Sequence, residues 1–165
     1  MRNTDLGILP FECQYANSTA ELILEIQRDE FGFSITLADQ PDLSNIEQYY
    51  QQGTGNFWVA LNDERVIGTI ALLDIGDGQA ALRKMFVGAE YRGSRPGVAH
   101  QLLGTLLNHA KDQGVREIYL GTTDKFLAAH RFYEKNGFEL IEPNIFPTRF
   151  PKMKVDTRFY RLSLC

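Results

Sequence analysis

The chain has 165 residues, 44% of them apolar and 23% charged, with a formal net charge of −4. These are ordinary proportions for one globular domain spanning 1–165, and they exclude a disordered, collagenous or coiled-coil chain. The acidic balance argues against a nucleic-acid partner held through its phosphates, which requires a basic face. At this length a single core buries roughly 70% of the surface that the unfolded chain exposes, so stability needs no disulfide or structural metal. The longest strongly apolar run, Val66 to Leu73, falls far short of the roughly 20 residues of a spanning helix, and Met1 to Asp5 lack the apolar segment of a signal peptide. A membrane partner is therefore not expected. Cys13 and Cys165 lie near opposite ends with no CxxC or Cys/His ligand spacing, and read as reduced thiols of a cytoplasmic protein.

Leu9 to Tyr15 reads as a first strand. Ser18-Thr19-Ala20-Glu21 has the form of a capping box, which predicts a helix starting at Ser18. A second helix is expected from Leu43 to Gln52, ended by Gly53. Three strands follow, Phe57 to Leu61, Val66 to Ile75 and Gln79 to Val87, punctuated by Asn62-Asp63 and Asp77-Gly78 as hairpin turns. In the next helix Val98, Leu102, Leu106 and Ala110 recur every four residues, and Gly114 closes it. Val115 to Gly121 is a strand, Phe126 to Asn136 a helix closed by Gly137, and Phe138 to Ile141 a strand. After a loop with Pro143, Pro147 and Pro151, Arg158 to Leu164 forms the last strand. Strand and helix alternate in this half, which implies parallel pairing there and an α/β fold with a mixed sheet.

Two segments carry chemistry. Arg92-Gly93-Ser94-Arg95-Pro96-Gly97-Val98-Ala99 leads from a strand into a helix, where free backbone N–H groups and the helix dipole favour an anion. From Arg83 to Arg95 the basic residues Arg83, Lys84, Arg92 and Arg95 oppose Glu90 alone, a local excess of three positive charges in an acidic chain. No Gly-Lys-Ser/Thr follows, so the loop is no Walker nucleotide motif. The second segment is Ala129-His130-Arg131-Phe132-Tyr133-Glu134-Lys135-Asn136-Gly137-Phe138. His100, His109 and His130 do not cluster, and no metal site is expected.

Together these segments resemble the GNAT N-acetyltransferase superfamily. Gly97-Val98-Ala99-His100-Gln101-Leu102-Leu103 is similar to its acetyl-CoA pyrophosphate loop, and the Tyr133 segment to its second conserved helix and following strand. The likeness runs from Leu9 to Leu164. The family pattern has a glycine where a direct match from Arg92 places Arg95. Aligned instead on Leu102-Leu103, Gly97 and Ala99 take the two small positions and the loop is one residue longer.

The resemblance implies a mixed sheet of about seven strands with about four flanking helices, splayed between Gln79–Val87 and Val115–Gly121 to admit acetyl-CoA. It implies cofactor contacts at Met85, Phe86, Val87, Arg92, Gly93, Ser94, Arg95, Gly97, Val98, Ala99 and Phe132, with Tyr133 protonating the departing thiolate. The acceptor is a small-molecule amine or amino acid that attacks the thioester directly, held by the segments Phe31 to Leu43 and Asn144 to Lys154. Glu30 and Asp74 are the carboxylates expected as base. Phe31 and Arg83 are the expected acceptor contacts, Arg83 because strand alternation sets it beside Met85 and Val87 and its planar fork suits a carboxylate. A protein-directed acetyltransferase and a non-catalytic acyl-CoA sensor are the alternatives, and the oligomeric state stays open, a homodimer included.

Overall fold

A computed structural model describes residues 6–93, 97–124, 126–153 and 156–164. Seven strands form one sheet in the order β1-β2-β3-β4-β5-β7-β6. They are β1 (Leu6–Pro10), β2 (Asn56–Asn62), β3 (Arg65–Gly76), β4 (Gln79–Val87), β5 (Glu117–Thr122), β6 (Glu139–Ile141) and β7 (Arg158–Ser163). The helices are α1 (Ala16–Glu25), α2 (Pro41–Ser44), α3 (Ile46–Tyr50), α4 (Val98–Asp112) and α5 (Leu127–Lys135).

The β3–β4 hairpin forms where Asp-Gly predicts it: Gly76 faces Gln79 across the turn, and Asp77 and Gly78 have φ of 58° and 73°, as a type I′ turn requires. The preceding turn sits one residue later than expected, at Asp63-Glu64, because Asn62 is still paired with Arg65. The first strand is earlier than expected, at Leu6–Pro10 on the sheet edge, and Cys13–Tyr15 is a 3-10 turn leading into α1. Ser18 therefore lies inside α1 and caps nothing. Its Oγ accepts from the Val66 N–H at 2.9 Å, tying the helix to the β2–β3 hairpin. The helix expected from Leu43 to Gln52 is broken at Asn45, whose φ and ψ of −142° and 51° separate α2 from α3.

The parallel half is smaller than the alternation implies. β4 and β5 are parallel, but β7 inserts between β5 and β6 and is antiparallel to both. One face of the sheet is covered by α4, with Leu102, Leu103 and Leu106 seated on Ile67, Ile70 and Leu72. The other is covered by α1 to α3 over Phe57, Val59 and Ala71. A third apolar cluster gathers Phe146, Phe150 and Phe159 beneath the β6–β7 connection.

Candidate functional site

β4 and β5 pair only at Gln79–Glu117, Ala80–Ile118 and Ala81–Tyr119. Beyond these the strands part, and a cleft of about 640 Å³ opens between them. Its walls are β4 from Leu82 to Phe86, β5 from Leu120 onward, and Phe126, Ala129 and Tyr133 on the α5 side. The connection before α2 contributes Phe33 to Ile35, and the connection before β7 contributes Phe150, Lys152, Met153 and Asp156. Both segments expected to hold the acceptor thus border the cleft.

A bulge in β4 shapes one wall. Thr69 faces Phe86 and Ala71 faces Arg83, so β4 carries one more residue than β3 over this stretch. Lys84 absorbs it with φ of 54°, a left-handed conformation that costs a non-glycine residue about 1 kcal/mol. Thr69 Oγ donates to the Lys84 carbonyl at 2.6 Å and holds the bulge. Alternation then resumes out of phase: Met85 and Val87 pack toward α4, Phe86 toward α1, and Arg83 toward α3. The expectation that Arg83 shares a face with Met85 and Val87 is corrected by that extra residue, although Arg83, Met85 and Phe86 still line the cleft.

Arg83 is nearly buried. Its guanidinium donates to Tyr49 Oη at 3.2 Å, lies 3.9 Å from Asp42, and stacks over Tyr49 at 5.8 Å and Tyr50 at 6.0 Å. Beside it the Lys84 Nζ donates to Gln40 Oε1 at 2.6 Å and lies 3.4 Å from Asp42 Oδ2. Burial pulls the Lys84 pKa down to about 8, against the attraction of Asp42. Gln27 and Gln40 exchange amide hydrogen bonds of 3.1 and 2.8 Å, and Tyr50 Oη donates to Asp42 at 2.5 Å. The cluster buries two cations against one carboxylate.

Tyr133 reaches the cleft from α5 and is buried among Phe132, Phe138 and Tyr160. Burial, with a smaller contribution from Tyr160, raises its hydroxyl pKa well above the ordinary tyrosine value. The phenol is therefore protonated throughout the neutral range. Phe132 packs edge-on to His100 at 5.3 Å, and Phe31 edge-on to Phe126 at 4.4 Å. Phe31 thus supports a cleft wall without lining it.

Gly97 begins α4 in the left-handed region, φ 72°, leaving the first N–H groups of the helix, at Val98, Ala99 and His100, without intrahelical partners. Gly93 also has positive φ, 105°. Ser94 and Arg95, both expected in this loop, lie outside the described residues. Arg92 Nε donates to the Val87 carbonyl at 2.8 Å, and its two terminal nitrogens fork onto Glu30, one of them at 2.7 Å.

The structure does not bring Glu30 or Asp74 into the cleft. Glu30 ends a π-turn, Ile26–Glu30, and its hydrogen bonds from Arg92 hold its carboxyl below the ordinary value despite partial burial. Asp74 closes the far end of the β3–β4 hairpin, accepting from Gly76 N–H at 2.8 Å and Thr54 N–H at 3.1 Å. Burial raises its pKa, but those bonds outweigh it and the net shift is downward. Both are weakened as bases.

Sequence reasoning missed Lys84, Asp42, the Gln27–Gln40 pair and Asp156. Asp156 is half-buried at the cleft, and its Oδ2 accepts from Met153 N–H at 2.8 Å. One signal pointed to it. Gly121 stands within a strand, often a mark of close approach by another group, and a Cβ there would lie 2.8 Å from Asp156 Oδ2. His109 and His130 bond the carbonyls of Thr54 and Thr123. Among the described residues no three His, Cys, Asp or Glu side chains gather as a metal site, and no helix is long and apolar enough to cross a membrane.

A mixed sheet splayed beside a helix N-terminus is the framework of an acyl-CoA acyltransferase, and the sequence model of the acetyltransferase (GNAT) family matches residues 20–138. The chain belongs to that family. It is similar in structure to a GNAT-family acetyltransferase from Staphylococcus aureus, 40% identical with a TM-score of 0.93, over 97% of this chain and 99% of that one. In sequence it resembles N-acetylaspartate synthetase of Xenopus tropicalis, 39% identical over 111 residues that are 64% of this chain and 40% of the relative. N-acetyltransferase 8B of Homo sapiens is 33% identical over 118 residues, 68% of this chain and 51% of that protein. The matched segments thus span about half the length of these curated relatives.

Proposed function

We propose that this chain is an acetyl-CoA-dependent N-acetyltransferase whose acceptor is a small amine bearing a carboxylate. The observation that carries the acceptor class is the paired burial of Arg83 and Lys84 in the cleft wall with one carboxylate, Asp42, in ion-pair contact. Asp156 acts on both cations only across the cleft, so the wall stays electropositive and an anion that meets it offsets part of the burial cost. An acceptor carboxylate supplies that anion through charge-assisted hydrogen bonds. The name of the Xenopus relative, N-acetylaspartate synthetase, supports the same reading, since aspartate is an amine with carboxylates.

Acetyl-CoA supplies the activated thioester carbonyl. The cleft fits such a donor: past Ala81 and Tyr119 the facing edges of β4 and β5 are no longer paired with each other, so their backbone groups can bond an amide-bearing arm as an added strand would. The N–H groups at the start of α4, with Gly97 offering no side chain in the way, suit a pyrophosphate. Tyr133, on the cleft wall, supports the role of the acid that protonates the departing sulfur. Burial keeps the phenol protonated at neutral pH, so it holds a proton to share with sulfur as negative charge develops there.

Free-thiol release measured across a panel of amines tests the reading. Carboxylate acceptors should exceed their matched amides by roughly 10- to 100-fold in kcat/KM, the worth of hydrogen bonds to a charged group. Arg83→Ala should erase most of that preference, and Tyr133→Phe should lower kcat by about 100-fold while coenzyme A affinity is kept. Equal rates for acids and amides in wild type would overturn the acceptor class. Coenzyme A binding without acceptor-dependent thiol release would favour a sensor.

A further inference from the structure

Acyl transfer needs a group to take a proton from the acceptor's ammonium, and the carboxylates expected for it are engaged elsewhere. Glu30 is forked by Arg92 and Asp74 is held in a hairpin turn. Among the described residues two carboxylates do line the cleft, Asp39 and Asp156. Asp39 is exposed and closes a capping box with Thr36, whose N–H and Oγ both reach its Oδ2 at 3.0 Å.

Asp156 is placed differently. It sits just before β7, pinned at Oδ2 by Met153 N–H and seated against the bare backbone of Gly121, where β5 has parted from β4. Across the gap it feels Arg83 and Lys84 on the β4 bulge, and Lys152 from its own connection. Tyr133 and Asp39 border the same cleft. The anchor proposed for the acceptor's carboxylate, the phenol and this carboxylate therefore surround one space.

We propose that Asp156 is the general base of this site, its carboxylate taking a proton from the acceptor's ammonium and so freeing the nitrogen lone pair that attacks the thioester. The assignment rests on the acyl-transfer reading above. Burial raises the Asp156 pKa, opposed by the Met153 N–H and then by Arg83, Lys84 and Lys152, with a net upward shift. A carboxylate so placed is a stronger base than an exposed aspartate, and the neighbouring cations oppose the upward shift by favouring its ionised form. The balance closes. The ammonium loses one proton to Asp156, the C–N bond forms and the C–S bond breaks, and sulfur takes the proton of Tyr133. Nitrogen's second proton replaces the one Tyr133 gave, and Asp156 releases its proton to water.

Asp156→Asn keeps the shape and the acceptor function of the Met153 bond. Its coenzyme A affinity, measured by calorimetry, should match wild type and show that the cleft is intact. Its kcat at pH 7 should fall by about 100-fold or more, with KM little changed. That deficit should shrink as pH rises past the acceptor's own pKa, because a free amine needs no base. Carbon NMR of labelled aspartate carboxyls, a readout independent of turnover, should show one signal titrating above the ordinary value of about 3.9 and missing in Asp156→Asn. Gly121→Ala, which pushes the carboxylate aside without removing charge, should reproduce the pH-dependent deficit. An unchanged kcat, a loss equal at every pH, a loss confined to KM, or no raised titration overturns the proposal. Failure of wild type to acetylate any amine overturns the functional reading and this one together, whereas active wild type with an equally active Asp156→Asn overturns this one alone.

Discussion

At the scale of the residue, Lys84 concentrates the tension between stability and binding. It is buried, left-handed in φ and held by Gln40 and Asp42. Its pKa of about 8 in the fold lies below the ordinary lysine value of 10.5, so the unfolded chain binds more protons between those two values. Unfolding free energy should therefore rise with pH across that window. Below pH 8 the penalty is full, roughly 3 kcal/mol for a fall from 10.5 to about 8. Denaturant unfolding from pH 7 to 10.5 checks this: the stability of wild type relative to Lys84→Met should climb through the window, and a flat difference would refute it. Little of this was legible in the sequence. Lys84 was read only as part of a basic stretch, and no glycine or asparagine announced the bulge. Asp156 was hidden for another reason, since 35 positions separate it from Gly121 and only the fold joins them. Tyr133 was expected at the site from a family motif, and the fold sets it on the cleft wall.

At the scale of the element, turns and periodic helices were legible while ends and faces were not. Asp77-Gly78 and the four-residue apolar repeat of α4 encode themselves locally. The start of α1 does not, because the Ser18 hydroxyl serves a strand 48 residues away instead of its own helix. The face of Arg83 was misread because a period of two assumes an unbroken ladder, and one inserted residue reverses every later assignment. Ser18→Ala leaves the Val66 N–H without its partner, and should cost about 1 kcal/mol in urea unfolding with acetyl transfer unchanged. No loss of stability would show that water replaces the hydroxyl.

At the scale of the whole molecule, the mixed seven-stranded sheet was anticipated, and its order was not, since β7 inserts between β5 and β6. Coenzyme A, bound across the splay, should stabilise the chain by mass action. At about 100 times its Kd the gain is about 2.7 kcal/mol, or roughly 5 to 10 °C in melting temperature for a domain of this size. Differential scanning calorimetry with and without coenzyme A measures it, and an unchanged midpoint would count against binding in the cleft. The narrow join between β4 and β5 has a further consequence. Three residue pairs link the strands, yet α4 lies across β2, β3 and β4 of the preceding half. A chain severed just before α4 should thus yield two fragments that reassociate by burying a helix, with the cleft complete only in the pair. Acetylation should then require both fragments together, and neither alone.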